Sequence, residues 1–68
     1  MKTSLLLSIV KMHGDTQEDL AVAIGISRTR LSAKLHARNG ASFTQPEIAA
    51  IKKRYSMSDE TLNEVFFS

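Results

Sequence analysis

The chain has no cysteine, which excludes two kinds of site. Neither a disulfide framework nor a thiolate metal site can form, and the usual basis of small secreted domains is missing. The two histidines, His13 and His36, lie too far apart in sequence to ligate a metal ion from one helix. The sequence therefore predicts no metal and no cofactor, and it fits a reducing compartment.

The chain also has no long apolar run. The stretch from Leu5 to Val10 ends at Lys11 and is far shorter than the ~20 apolar residues of a membrane span. It superficially imitates a secretory signal, but no small-residue cleavage pattern follows it. We therefore expect a cytoplasmic protein with no membrane partner.

The small size limits both the fold and the chemistry. The chain has 68 residues, so we expect a single domain over 1–68 with one core. A domain of this size buries only about 60% of the surface that its unfolded chain exposes, and it has little room for an enclosed active site. No clustered acid, base and nucleophile can be assembled from these residues either. We therefore expect neither an enzyme nor a small-molecule binder.

The net charge of +2 hides an uneven distribution of charged residues. Segment 28–54 contains seven basic residues and one acid, for a net charge of +6, and the rest of the chain has a net charge of −4. The basic residues are Arg28, Arg30, Lys34, Arg38, Lys52, Lys53 and Arg54. A basic segment beside acidic ends is what a polyanion-binding face needs.

Helix-start signals recur along the chain, and apolar residues follow each of them at helical spacing. The candidate caps are Thr3 or Ser4, Asp15 or Thr16, Ser27, Thr44 and Ser58. Thr44 and Glu47 resemble a capping box, and Gly14 and Gly25 follow the first two helices, where glycine permits a left-handed turn. No strand pattern is present. The sequence therefore predicts an all-α domain of five helices.

The second and third predicted helices, at about 16–36, are separated by one short turn. Gly25 can adopt positive φ there without the roughly 1 kcal/mol or more that another residue would lose. Ala21 is small enough to let the two backbones approach closely. Leu31 and Leu35 give the third helix a narrow apolar side opposite its basic residues. This is the architecture of a helix-turn-helix unit, whose second helix enters the DNA major groove.

Several short stretches resemble a known family in their order and spacing. They are Thr16-Gln17-Glu18-Asp19-Leu20-Ala21, Ile24-Gly25-Ile26-Ser27-Arg28 and Leu31-Ser32. Together they resemble the helix-turn-helix of phage repressor and Cro-type regulators. The later residues Phe43-Thr44, Glu47-Ile48 and Val65-Phe66-Phe67 are similar to small Cro- or repressor-like proteins, so the resemblance covers roughly the whole chain.

The resemblance implies a fold and a function. The fold would be a compact five-helix domain of the phage repressor/Cro type. The function would be that of a sequence-specific transcriptional regulator of a phage or mobile element, a repressor that acts by occupying a double-stranded DNA operator. Such a protein would work in the cytoplasm of a bacterial host and associate with the nucleoid when bound. No cofactor is implied.

The resemblance also implies roles for individual residues. Arg28 and Thr29 match positions that read base edges, and Ser32 is the third predicted base contact. Chemistry favours Arg28 independently, because an arginine fork can bind guanine with about 1–3 kcal/mol of discrimination. Gln17 matches a position that donates to a phosphate and supports the first base-reading residue. The other predicted contacts to the DNA backbone are Ser27, Arg30, Lys34, Arg38, Asn39 and Ser42.

One position departs from the family pattern. Lys34 stands where many relatives have an apolar residue, and Leu35 follows one place later. The departure leaves open the rotation of the third helix beyond Ser32, and with it the roles of Ala33 and Lys34. The basic residues at 52–53 are weaker candidates for phosphate contact, because a basic cluster also stabilises a helix C-terminus through the helix dipole.

The adjacent residues Phe66 and Phe67 suggest self-association. On a helix they point about 100° apart, so one small core cannot take up both side chains. We expect a homodimer with Val65, Phe66 and Phe67 at its interface. A two-fold dimer would place its two base-reading helices about 34 Å apart and select a nearly palindromic site. In the alternative, this segment folds back over the first helix.

Two other functions stay open. A protein-interaction module, such as an antirepressor or an antitoxin-like domain, could use the same helical unit and would bind DNA weakly and without salt dependence. A basic amphipathic surface binder is disfavoured, because the positive charges are divided between two helices and a loop instead of forming one stripe.

Overall fold

The structure is a computed structural model that describes residues 1–37 and 40–67. Within these residues the chain forms five α-helices and no strand, which confirms the predicted all-α fold. The helices are α1 (Thr3–Met12), α2 (Gln17–Ile24), α3 (Arg28–Leu35), α4 (Gln45–Arg54) and α5 (Asp59–Phe66).

Side-chain caps at predicted positions begin four of these helices. The capping residues are Thr16, Ser27, Thr44 and Ser58. At α2 the Thr16 hydroxyl accepts a hydrogen bond from the Asp19 N–H, and the Asp19 carboxylate accepts one from the Thr16 N–H. Thr44 and Glu47 form the same reciprocal capping box at α4, as the sequence predicts. These bonds satisfy backbone donors that the first turn of a helix leaves unpaired.

The start of α1 differs from the expected cap at Thr3 or Ser4. Lys2 occupies the N-cap position and makes no side-chain cap hydrogen bond. The Thr3 hydroxyl instead donates to the carbonyl oxygen of Leu35 at 2.8 Å. Leu35 is the last residue of α3, so a contact between distant residues replaces the local cap and joins the start of α1 to the end of α3.

One apolar core joins the helices. α2 packs against α1, α3 and α4, and α5 packs against α1. Ala21, at the predicted close approach of two helices, is buried. The buried apolar residues are Leu6, Val10, Leu20, Ala21, Leu31, Leu35, Ile48, Ile51, Tyr55, Met57 and Val65. Because α2 lies at the centre of these contacts, it fixes α3 to the body of the protein.

Candidate nucleic-acid interface

A tight glycine turn connects α2 to α3. Gly25 is left-handed, with φ 78° and ψ 29°, and follows the last residue of α2. The Ile26 N–H then donates to the Ala21 carbonyl at 3.0 Å, which closes the end of α2. Ser27 is extended and caps α3, so only Gly25, Ile26 and Ser27 separate the two helices. The left-handed glycine predicted for this turn is confirmed.

The rotation of α3 follows from which side chains are buried. Leu31, Lys34 and Leu35 face the interior. At about 100° per residue, the direction opposite these three lies at Thr29, and Ala33 lies one turn further along the same side. Thr29 is exposed and Ala33 is half-buried. The sequence left the role of Ala33 open, and the structure places this small side chain on the outward face of α3.

The N-terminal turn of α3 is fully exposed. Ser27, Arg28, Thr29 and Arg30 are all exposed, and Ser32 is half-buried at the edge of the same face. The first turn of α3 contains no acidic residue. Two arginines and the positive end of the helix dipole therefore coincide at this end of α3, a favourable location for an anion. We call the surface formed by residues 27–30, 32 and 33 the α3 face.

A hydrogen bond links α2 to the α3 face. The Arg28 guanidinium donates to the Gln17 side-chain oxygen, with 2.9 Å between Nη2 and Oε1. Arginine has only donors, so it must be the amide oxygen of Gln17 that accepts. The amide NH2 group of Gln17 keeps its hydrogens for another acceptor. The structure therefore brings together two residues that the sequence predicts to act side by side.

Ser27 and Arg30 lie at the same end of α3. The Ser27 hydroxyl accepts a hydrogen bond from the Arg30 N–H at 3.1 Å, which forms the helix cap. The caps of α2 and α3 thus begin the two helices to which Gln17, Arg28 and Arg30 belong. Ser42 is also exposed, in the segment before α4. The two other predicted backbone contacts, Arg38 and Asn39, lie outside the described residues.

Lys34 does not fit the prediction that it contacts the DNA backbone. Its side chain is buried, and its amine donates to the Glu47 carboxylate at 2.6 Å and to the Ser42 carbonyl at 3.1 Å. Burial alone would raise the pKa of Glu47, but the hydrogen bonds from Lys34 and the Thr44 backbone hold it below its ordinary value. Lys34 faces inward because Leu31 and Leu35 flank it on the buried side of α3.

Sequence patterns did not reveal a second polar cluster, centred on Asp15. Its carboxylate accepts hydrogen bonds from Arg54 Nε and the Tyr55 hydroxyl, each at 2.7 Å. These bonds hold the pKa of Asp15 below its ordinary value. Burial and the bond to Asp15 raise the pKa of Tyr55 to about 12. The cluster fastens the loop before α2 to the end of α4, and no local signal in the sequence indicates it.

Basic residues at the C-terminal end of α4 form ion pairs with other parts of the chain. Lys52 pairs with Asp59, and Arg54 pairs with Asp15. Lys53 is exposed. Two of the three cations thus have acidic partners on other parts of the fold, which favours a structural role for this cluster over phosphate contact.

The three residues of the predicted dimer interface lie in different environments. Val65 is 0% exposed and belongs to the core, so its prediction as an interface residue is wrong. Its carbonyl accepts a hydrogen bond from the Lys2 N–H at 2.7 Å, which holds the end of α5 against the start of α1. Phe66 is half-buried and packs edge-to-face on Phe43, with ring centroids 5.6 Å apart. Phe67 is 62% exposed.

An apolar groove opens beside Phe67. Its volume is about 460 Å³, and it lies between the start of α1 and the ends of α3 and α5. Its apolar lining includes Met1, Phe43 and Ile48, and Met1 is 44% exposed. The α5 end of the molecule therefore has an apolar surface of its own.

Across residues 1–37 and 40–67, no three histidine or acidic side chains come together as a metal-binding group. In the same residues, no helix has the length and apolar character needed to cross a membrane. Comparison of the chain with protein-family models, curated proteins and solved structures found no match.

Proposed function

We propose that the chain binds double-stranded DNA sequence-specifically by inserting the first turns of α3 into the major groove. The observation that carries the proposal is the α3 face, where four consecutive exposed residues surround the N-terminus of a helix that is buried on its opposite side. The major groove is wide enough to admit an α-helix, and base edges are read there. The short glycine turn and the central position of α2 would present α3 as a rigid element.

The α3 face offers the chemistry that base reading requires. Arg28 can donate two parallel hydrogen bonds to guanine, and its bond to Gln17 already restricts its position. Thr29 can offer a methyl group to thymine or a hydroxyl to a base. Ser32 lies at the edge of the face, and Ala33 can offer a methyl group or allow a close approach.

Contacts to phosphates would surround these base contacts and set the register. Gln17, Ser27 and Arg30 lie at or beside the positive end of α3, where phosphates bind well, and each has a side chain that can donate to a phosphate. Ser42 is a further candidate, together with Arg38 and Asn39, which remain predictions from the sequence. Lys34 is not included, because its amine is bound to Glu47 and Ser42.

We further propose that the protein is a Cro-like transcriptional regulator that acts as a homodimer by occupying an operator. The five-helix all-α fold and the short glycine turn between α2 and α3 support this proposal. Phe66 and Phe67, together with the groove beside them, would form the interface between the two copies. A two-fold dimer would bind two half-sites about 34 Å apart.

A second candidate function is favoured by the apolar groove at the α5 end. A helical segment of another protein could occupy this groove, as in an antirepressor or an antitoxin-like module. In that case DNA binding would be weak and insensitive to salt, because few phosphates would be neutralised.

Selection of bound sequences from random duplex DNA at near-physiological salt tests the proposal. We expect a symmetric motif with half-sites about one helical turn apart. We also expect affinity to fall steeply as the salt concentration rises. An unenriched pool, or affinity independent of salt, would contradict the proposal and favour the protein-binding alternative.

A further inference from the structure

Lys34 and Glu47 form an ion pair that joins three parts of the fold. Lys34 belongs to α3, and its amine contacts both the Glu47 carboxylate at the start of α4 and the Ser42 carbonyl between the two helices. The same Glu47 oxygen accepts a hydrogen bond from the Thr44 N–H at 2.8 Å. The Lys34 amine also lies 6.0 Å from the centroid of the Phe43 ring. One carboxylate thus closes the α4 cap and holds the end of α3.

Both members of the pair are shielded from water. The side chains of Lys34 and Glu47 are 6% and 12% exposed, whereas those of the surface pair Lys2 and Glu64 are 50% and 53% exposed. A shielded ion pair adds little net stability, because desolvation of the two charges offsets much of their attraction. A protein with apolar residues of similar volume in place of such a pair is often equally stable. In some proteins the contribution of such a pair is to favour one arrangement of the groups around it.

The arrangement fixed by this pair bears on the DNA contacts proposed above. Lys34 is adjacent to Ala33 on the α3 face, and its amine binds the backbone of Ser42, a candidate phosphate contact. If α3 and the segment before α4 are to meet one duplex together, their relative position must be held. Residues 36–37 and 40–44, the described part of the chain between α3 and α4, are outside the five α-helices, so side-chain bonds such as those of Lys34 are well placed to hold this position.

We propose that the Lys34–Glu47 pair is a positioning device that holds segment 40–44 in register with α3, so that both reach the same duplex. This inference rests on the proposed DNA-binding function. Lys34 acts through its bonds to Ser42 and Glu47 and touches no DNA. This role would explain why a lysine is present at position 34, where proteins of the family that the chain resembles often have an apolar residue.

The test uses the double variant Lys34→Met/Glu47→Gln in the full chain. Methionine is unbranched and only one heavy atom shorter than lysine, and glutamine can still close the capping box at Thr44. The variant leaves no unpaired buried charge and does not change the net charge of the protein. The single variant Lys34→Met is avoided, because it would leave Glu47 buried without its cation and could unfold the domain. The matched control is Lys2→Met/Glu64→Gln, which removes the exposed Lys–Glu pair between α1 and α5.

Two measurements decide the outcome. In DNA-free protein, backbone order parameters from 15N relaxation should fall in residues 40–44, from about 0.85 toward 0.6, while those of the helices stay high. With DNA, the ratio of the affinity for the selected sequence to the affinity for random duplex should fall about tenfold. Substitutions of residues that do not contact a ligand can change its binding by about this amount. Because net charge is unchanged, affinity for random duplex should stay near that of the parent. The control should match the parent in both measurements.

Each contrary result has its own meaning. Unchanged order parameters in the double variant would overturn the positioning role directly. Lower order parameters with an unchanged affinity ratio would also overturn it, because the looser segment would then not affect recognition. A parent chain that selects no sequence would overturn the proposed function itself. The relaxation data would still show whether the pair holds the segment.

Discussion

Arg28 and Gln17 belong to different helices, yet one hydrogen bond joins them on the exposed surface. A free arginine side chain has many rotamers, and fixing it on binding costs conformational entropy. A bond that already exists in the DNA-free protein would reduce that cost in the proposed complex, and the remaining guanidinium donors are available to a base. Arg28, the leading candidate for base reading, is thus partly preorganised.

Replacing Arg28 by alanine should reduce affinity for the selected sequence by about 1–3 kcal/mol and relax the preference at one base pair. Arg30→Ala removes an equal charge from the same turn of α3 and serves as the control. Arg30→Ala should weaken binding to all sequences evenly. It should also reduce the slope of log affinity against log salt concentration by about the contribution of one phosphate contact. Fluorescence anisotropy on a set of single-base variants of the site separates the two patterns. If both variants keep the parental preference at every base pair, Arg28 is not a base reader.

Two backbone positions with positive φ should respond oppositely to substitution. Gly25 has φ 78° in the turn between α2 and α3, and Ser56 has φ 49° after α4. Gly25→Ala should lower the free energy of unfolding by roughly 1 kcal/mol, and Gly25→Asn should cost less, since asparagine tolerates this conformation. Ser56→Gly should be neutral or stabilising, because strain is relieved. Urea denaturation measures all three, and equal stability for the alanine and asparagine variants would contradict this account of the turn.

Among the elements, the helix boundaries could be predicted almost completely from the sequence. The caps of α2 to α5 depend on hydrogen bonds within three residues, so short patterns such as Thr44 to Glu47 contain the necessary information. Lys34, Val65 and Asp15 could not be placed in this way. Their environments depend on residues 13 to 63 positions away in sequence, namely Glu47, Lys2 and Arg54. Patterns within one helix do not encode such contacts.

The cluster that joins α4 to the loop before α2 should weaken in acid. The pKa of Asp15 lies below its ordinary value of 3.8, so the ionised carboxylate stabilises the fold above that pH and its contribution is lost as the pH falls through the folded pKa. Asp15→Asn should therefore be less stable than the parent at neutral pH, and the two should converge below pH 3.8. Urea midpoints recorded across this range test the prediction. A constant difference between the two proteins would show that the charge of Asp15 is not what stabilises the junction.

On the scale of the whole molecule, two exposed surfaces differ in character. The α3 face is polar and basic, whereas the groove beside Phe67 is apolar. The sequence indicates the first surface through the charge distribution and the glycine turn. It indicates the second only through the pair of adjacent phenylalanines, because the groove exists only when α1, α3 and α5 are assembled. Burial of Val65 leaves Phe67 as the prominent apolar group at this end.

Phe67→Ser should shift the protein toward monomer. Burying a phenylalanine side chain contributes about 1.5–3 kcal/mol, so loss of this group should raise the dimer dissociation constant by about tenfold or more. Met12→Ser is the control, because Met12 is 82% exposed on α1 and is not among the residues that line the groove. Sedimentation equilibrium gives the mass distribution of both variants. Identical distributions for Phe67→Ser and the parent would exclude Phe67 from any dimer interface.

An NMR titration of the full chain with a short duplex carrying the selected sequence tests the central claim most directly. We predict that backbone amide shifts will change most at residues 17 and 27–33, with the N-terminal turn of α3 as the centre. Phe66 and Phe67, which line the groove outside segment 40–44, should respond only as far as dimerisation affects them. Largest changes at Phe43 and Phe67, with residues 27–30 unaffected, would show that α3 is not the helix that meets DNA.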